Sequence, residues 1–291
     1  MNFTILKMVN WKKPGTWRTG LACYCKQARG QHNQNNRLKN YNMYPELKGK
    51  VALITGATKG IGRGIAEKLA SEGLQLILNY SSDETAAQET AQVMDGYGIK
   101  YQLIKADVSR PSSIEELYQQ ALAKFGHLDI VIANAGVEMV DTPFTNYTEK
   151  DFDKIYNLNV KGTFFVMQQA AKHITDGGRI ILISSTQSLN AETGAAVYAS
   201  SKSAGKKFVD ILSKELGHRQ ITVNSVMPGV IDQAGVITNI SEEFKQLVRD
   251  SSPFGRLGSV QDIGKVVAFL ASDEAAYING DHIKANGGSG F

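Results

Sequence analysis

Tyr198 and Lys202 are the pair whose types and spacing most directly suggest chemistry. In Tyr198-Ala199-Ser200-Ser201-Lys202 they stand four residues apart, so on a helix they share a face, with Cβ atoms roughly 6 Å apart. A free phenol has a pKa of about 10, and an ammonium beside it favours the phenolate and lowers that value. Tyr198 is then expected to act as a general acid near neutral pH. By itself the spacing also describes an ordinary surface pair. A second candidate is the run Thr55-Gly56-Ala57-Thr58-Lys59-Gly60-Ile61-Gly62. Glycine lets a pyrophosphate approach the backbone, and the N–H groups and dipole of a following helix hold its charge. Other machinery is poorly supported. His127, His173, His218 and His282 lack metal-ligand spacing, and no G-x-S-x-G elbow occurs. Cys23 and Cys25 are too close for an unstrained disulfide and too few for a tetrahedral zinc site. No metal is expected.

These groups need elements to hold them. Apolar, β-branched runs at 51–54, 74–78, 101–104, 130–133, 180–183, 221–226 and 282–285 are continuous rather than alternating. That pattern fits strands buried on both faces of a parallel sheet. Amphipathic stretches separate them. In the first, Ile61, Ile65 and Leu69 form one stripe and Gly73 ends it. Alternation of this kind predicts βαβ units and a doubly wound parallel sheet: an α/β fold of a single domain in three layers. The glycine run then sits between the first strand and the first helix, where a phosphate-binding loop belongs.

The net charge of +4 is unevenly placed. Residues 1–45 carry eight Lys and Arg and no Asp or Glu, leaving 24 basic against 28 acidic residues in 46–291. A basic segment attached to an acidic body argues against a nucleic-acid-binding domain. The segment has seven asparagines through position 42, no serine and no apolar periodicity. We read 1–45 as a basic extension without a fold of its own, or as sequence upstream of a start at Met43, ahead of an organelle-targeting peptide, which would be serine-rich. No run approaches the ~20 apolar residues of a membrane-spanning helix. The cysteine-free body fits a reducing, cytoplasmic setting.

The T-G-x-x-x-G-x-G spacing of the loop, followed in order by the motifs below, resembles the short-chain dehydrogenase/reductase family over residues 47–291. The resemblance implies a Rossmann-type domain that binds a nicotinamide dinucleotide. Carried over residue by residue, Gly56, Thr58, Lys59, Gly60, Ile61 and Gly62 hold the phosphates. Asp107 and Val108 lie by the adenine, and Asn134, Ala135 and Gly136 form the A-N-A-G segment after the fourth strand. NAD-selective members place an Asp at the end of the second strand. Here Tyr80 stands there, followed by Ser81, so with Lys59 nearby the resemblance implies NADP(H), NAD(H) being the alternative and Asp83 a complication. Pro228, Gly229 and Ile231 follow the sixth strand toward the nicotinamide, with Gln233 in place of the usual threonine and Asn286 in place of an Asp in the closing turn.

The resemblance also implies the catalytic set Asn159, Ser185, Tyr198 and Lys202. Ser185, thirteen residues before Tyr198, steadies the substrate oxygen; strand alternation points its competitor Ser184 the other way. Lys202 binds the nicotinamide ribose, and Asn159, with Asn157 as its alternative, orders a water in the proton relay. Tyr198 and Lys202 therefore also count as cofactor contacts. Residues 233–254, including Val236, Ile237, Ile240, Phe244 and Leu247, are expected to form a substrate lid; Gln187, Asn190, Glu138 and Met139 are candidate pocket walls. The implied activity is reduction of a ketone to a secondary alcohol, closest in pattern to β-ketoacyl-acyl-carrier-protein reductases. The substrate is a small molecule or an acyl thioester, and the family implies a homo-oligomer, commonly a tetramer. The competing readings are an NAD(P)-dependent alcohol or sugar dehydrogenase, a non-catalytic NADP-binding regulator, and a scaffold recruited by the basic segment.

Overall fold

In the computed structural model, residues 42–190, 192–232, 234 and 241–289 are described. Seven parallel strands form one sheet in the order β3-β2-β1-β4-β5-β6-β7: β1 (Val51–Ile54), β2 (Gln75–Tyr80), β3 (Tyr101–Lys105), β4 (Ile130–Ala133), β5 (Arg179–Ile183), β6 (Thr222–Pro228) and β7 (His282–Ala285). Each apolar run read from the sequence contributes one strand. Alternate residues of a strand enter opposite cores. Ala52, Ile54, Ile130, Ile132, Ile181 and Ile183 pack on one side, Val51, Leu53, Val131, Ala133, Ile180 and Leu182 on the other. The central strands β1, β4, β5 and β6 are buried at every position, as two helical layers over a parallel sheet require.

The helices are α1 (Gly60–Ser71), α2 (Glu84–Tyr97), α3 (Pro111–Phe125), α4 (Glu149–Tyr156), α5 (Thr163–His173), α6 (Ala196–Glu215), α7 (Glu242–Ser251) and α8 (Val260–Ala271). Local chemistry starts and stops them. Asp83 caps α2 by accepting from the Ala86 N–H at 2.9 Å, and Ser259 with Asp262 forms a reciprocal capping box at α8. The helix α1 presents Ile65 and Leu69, both fully buried, to the sheet and lies against α8. That second contact is backbone-close. A Cβ added to Gly64 would lie 2.6 Å from Val260 Cβ, and one added to Gly264 would lie 2.8 Å from the Gly64 carbonyl oxygen.

Between α4 and α5 the helical path runs through a single π segment, Asn157–Gly162. The sheet order reverses between β1 and β4, so the carboxyl ends of these two strands open a crevice flanked by loops, the usual place for a ligand in such sheets. No helix among the described residues is long and apolar enough to cross a membrane. The basic extension expected at 1–45 falls outside the described residues through position 41. At its end, Asn42 and the Tyr44 N–H bond to Glu72.

Candidate active site

The glycine loop follows β1, and its shape is set by two buried polar side chains. Thr55 Oγ1 accepts from the N–H groups of Asn134 and Ala135, each at 3.0 Å. Asn79 takes the Gly56 N–H on its Oδ1 at 3.3 Å and gives its amide to the Ala106 carbonyl at 2.9 Å. Asn134, from the end of β4, donates to the carbonyls of Thr55 and Gly56 at 2.9 and 3.1 Å. Gly56 has φ +63°, and a Cβ on Gly62 would collide with the Gly56 carbonyl, so larger residues are excluded at both. The first turn of α1 starts at Gly60 with no side chain capping it, since Lys59 at the N-cap makes no capping bond. A cradle without Cβ atoms at an uncapped helix N-terminus fits a pyrophosphate. Sequence reasoning missed Thr55 and Asn79 as the residues that hold this loop. Threonine and asparagine inside otherwise apolar runs were the signal.

Lys59, Gly60, Arg63, Asp83, Thr85 and Val260 line part of a groove of about 620 Å³ beside the loop. Lys59 forms an ion pair with Asp83. Arg63, not singled out by the sequence, lies 3.0 Å from Glu67 and 3.7 Å from Glu89. Tyr80 ends β2 and donates its hydroxyl to Glu84 at 2.7 Å, and Ser81 follows it, exposed. Asp107 turns its carboxylate inward on its own loop, accepting from the Ser109 N–H and hydroxyl at 3.0 and 2.7 Å, while Val108 is buried. Ile231 is buried in the core and bridges to Gly258, so its side chain does not join the loop residues. The Pro228 carbonyl accepts from Thr186 Oγ1 at 3.3 Å, which brings the Pro228-Gly229 turn beside the segment after β5.

The four residues assigned to catalysis come from three backbone contexts. Ser185 follows β5, Tyr198 and Lys202 lie one turn apart on α6, and Asn159 sits in the π segment. Ser185 is hydrogen-bonded to the Tyr198 hydroxyl and accepts from the Gln187 N–H at 3.2 Å. Its neighbour Ser184 turns away and donates to the Lys202 carbonyl at 3.3 Å. Lys202 Nζ donates to the Ile183 carbonyl at 3.2 Å and stands 5.8 Å from the centre of the Tyr198 ring. Asn159 is buried and fully engaged. It accepts from the Val137 N–H at 2.9 Å and donates to the Val137 carbonyl at 2.8 Å and to Ser201 Oγ at 3.0 Å. Asn157, its alternative, opens the same π segment. Gly136 lets the two sides meet, since an added Cβ would lie 3.2 Å from Lys202 Nζ and 3.3 Å from Asn159 Oδ1.

The electrostatics correct one expectation. The Tyr198 hydroxyl is raised, not lowered: burial pushes it up, the Glu138 carboxylate adds to this, and only the Ser185 hydrogen bond opposes them. Lys202, whose head binds the Ile183 carbonyl and stands 5.8 Å from the ring centre, does not offset this rise. Burial pushes the Lys202 ammonium itself down to about 8, against the attraction of Glu138. The resting chain thus keeps the phenol protonated, the form a reduction consumes. Gln187 donates its amide to Glu192, and its Oε1 is buried without a partner among the described residues. Met139 offers its carbonyl to the Tyr147 hydroxyl at 3.4 Å. Of the expected lid, Gln233, Val236, Ile237, Ile240 and the side chain of Phe244 lie outside the described residues; Leu247 and Phe254 are exposed.

A family model described as enoyl-(acyl carrier protein) reductase matches residues 56–289. The chain is 41% identical over 256 residues to the hydroxynaphthalene reductase-like protein Arp2 of Metarhizium brunneum, covering 84% of this chain and 96% of that one. It is 36% identical over 275 residues to the tetrahydroxynaphthalene reductase PfmaG of Pestalotiopsis fici, covering 88% and 97%. Among solved structures, a short-chain dehydrogenase/reductase from Serratia marcescens superposes with a TM-score of 0.79 at 36% identity, covering 84% of this chain and 99% of that one. The angucycline C-6 ketoreductase LanV with bound NADP gives 0.78 at 38% identity, covering 83% and 96%.

Proposed function

The chain belongs to the short-chain dehydrogenase/reductase family and is an oxidoreductase of the C=O/CH–OH pair, and from that premise we propose that it reduces a hydroxylated aromatic ketone to a secondary alcohol with NADPH. The observation that carries this reading is the hydrogen-bonded Ser185–Tyr198 pair facing Lys202 and Asn159 at the carboxyl end of the sheet. Relatives named hydroxynaphthalene and tetrahydroxynaphthalene reductases support the substrate class, as does the NADP-bound ketoreductase LanV.

Reduced nicotinamide, when bound, would supply the hydride to the carbonyl carbon. The chain does the rest. Ser185 and Tyr198 hold the carbonyl oxygen, and Tyr198, protonated at rest, gives it the proton as the carbon–oxygen double bond is lost. Lys202 would hold the nicotinamide ribose, with its ammonium 5.8 Å from the centre of the Tyr198 ring. Asn159 fixes Val137 and the π segment, and completes the route by which the proton is restored. Gly56, Thr58, Gly60, Ile61 and Gly62 would cradle the pyrophosphate, and Lys59 with Ser81 would meet the ribose end. Asn134, Ala135 and Gly136 line the crevice floor; Asp107 with Val108 borders the adenine.

Initial-rate oxidation of NADPH and of NADH tests this against a hydroxylated tetralone, a β-ketoacyl thioester, a small diketone and a sugar lactone. Turnover of the tetralone with NADPH, absent in Tyr198→Phe, is expected. Turnover of the thioester alone would keep the mechanism and move the substrate to the acyl-carrier-protein class. Cofactor binding with no Tyr198-dependent turnover of any ketone would overturn the reading.

A further inference from the structure

The groove beside the glycine loop contains a charge arrangement that the reduction itself does not use. It lies between the N-terminal turns of α1 and α2, next to the carboxyl end of β2. In dinucleotide folds of this kind that is where the adenosine ribose and its 2′ substituent lie. Two cations line it, Lys59 and Arg63, against three carboxylates, Glu67, Asp83 and Glu89. Both cations are already engaged: Lys59 with Asp83, Arg63 with Glu67 at 3.0 Å and Glu89 at 3.7 Å.

We propose that Asp83 sets the strength of discrimination for a 2′-phosphorylated over an unphosphorylated adenosine, holding Lys59 in the groove and opposing any phosphate that approaches it. The proposal rests on the dinucleotide reading given above. Asp83 occupies its place for a structural reason, since its carboxylate caps α2 through the Ala86 N–H at 2.9 Å. That capping bond, and then Lys59, hold its carboxyl below the usual range, so it remains an anion wherever the 2′-phosphate is a dianion. A phosphate reaching Lys59 must displace Asp83 and then remain close to it. The pair is exposed, 66% at Lys59 and 39% at Asp83, so a dianion can break it, but like-charge repulsion persists afterwards. The carboxylate therefore moderates a preference that Lys59 alone would make strong. At the end of β2 itself the side chain is a phenol, not a carboxylate: Tyr80 stands there and donates to Glu84 of α2 at 2.7 Å.

The test is calorimetric titration of the whole chain with 2′,5′-ADP, with 5′-AMP and with NADPH, comparing the natural sequence with Asp83→Asn. Asparagine keeps a capping oxygen for the Ala86 N–H, so α2 retains its start while the charge is removed. Asp83→Ser serves the same purpose if the asparagine variant folds poorly. Affinity for 2′,5′-ADP is expected to rise about tenfold in either variant. Affinity for 5′-AMP should stay within about twofold, since it has no 2′ charge for Asp83 to oppose. An equal change for both nucleotides, or none for either, overturns the proposal while leaving the dinucleotide reading intact. Absence of binding by all three ligands to the natural chain overturns both.

Discussion

At one end of the crevice the polar side chains are buried and joined by hydrogen bonds; at the other, charged side chains meet in solvent. Asn159, Ser185 and Tyr198 are each less than a tenth exposed, and every polar atom of the Asn159 amide has a partner. Lys59 and Asp83 are ion-paired but largely exposed. The two constructions obey different energetics. A buried donor left without its partner costs about 1–3 kcal/mol, whereas an exposed ion pair contributes about 0–1 kcal/mol. The reacting end is therefore fixed in position and intolerant of change. The ribose end is adjustable, and its preferences can shift without disturbing the chemistry.

The largest effect that separates the two ends comes from Tyr198→Phe. Loss of the acid is expected to lower kcat about 10³-fold while the NADPH dissociation constant, measured by fluorescence titration, moves no more than about twofold. Asn159→Ala follows. It strips the Val137 N–H and carbonyl of their partners, so calorimetry should register a loss of about 1–3 kcal/mol, and kcat should fall at least about tenfold. A purely structural Asn159 would give the first result without the second.

A pH profile sharpens the contrast further. Lys202 loses its proton at about 8 in the folded chain, so kcat/KM for NADPH should fall as pH rises through that value. Stability should run the opposite way. Between about 8 and the ordinary 10.5 the unfolded chain binds the proton that the folded chain has released, so this group makes stability rise with pH across that window. A flat rate profile from pH 7 to 9 would refute the assignment of Lys202. The smallest expected effect belongs to the exposed end. Raising ionic strength from about 0.05 to 0.5 M should weaken 2′,5′-ADP relative to 5′-AMP about threefold, through screening of Lys59, and leave kcat unaltered.

Much of the fold was legible because the sheet is buried on both sides. Continuous apolar runs at 51–54 and 130–133 match β1 and β4 to the residue, and the mixed segment 282–285 matches the edge strand β7. Leu74 and Ile221 were read as strand and are not. Both are buried, at 0% and 1% exposure, but precede the ladder, and hydropathy registers burial rather than pairing. Within the site, the shared face of Tyr198 and Lys202 and the opposed directions of Ser184 and Ser185 followed from helical and strand periodicity. Contacts between distant segments did not. Nothing local announces that Asn159 binds Val137, that Asn79 supports Gly56, or that Lys59 meets Asp83. The direction of the Tyr198 shift escaped for the same reason, since it depends on how deeply the hydroxyl is enclosed and on Glu138 arriving from another loop.

The contact between α1 and α8 has a consequence for the order in which the molecule is made. The glycine loop is seated by a helix that packs, backbone against side chain at Gly64 and Val260, on a segment about 200 residues further along the chain. At a synthesis rate of about 5–20 residues per second, the first strand and its loop leave the ribosome roughly 10–40 s before α8 is there to support them. Until then Ile65 and Leu69 lack part of their cover and Gly64 has no Val260 to pack against. A nucleotide offered to the nascent chain finds the loop but not the wall behind it. Cofactor capture is thus a late event in the life of each new molecule, and a chain released before α8 is complete should be recognised by proteases as unfinished.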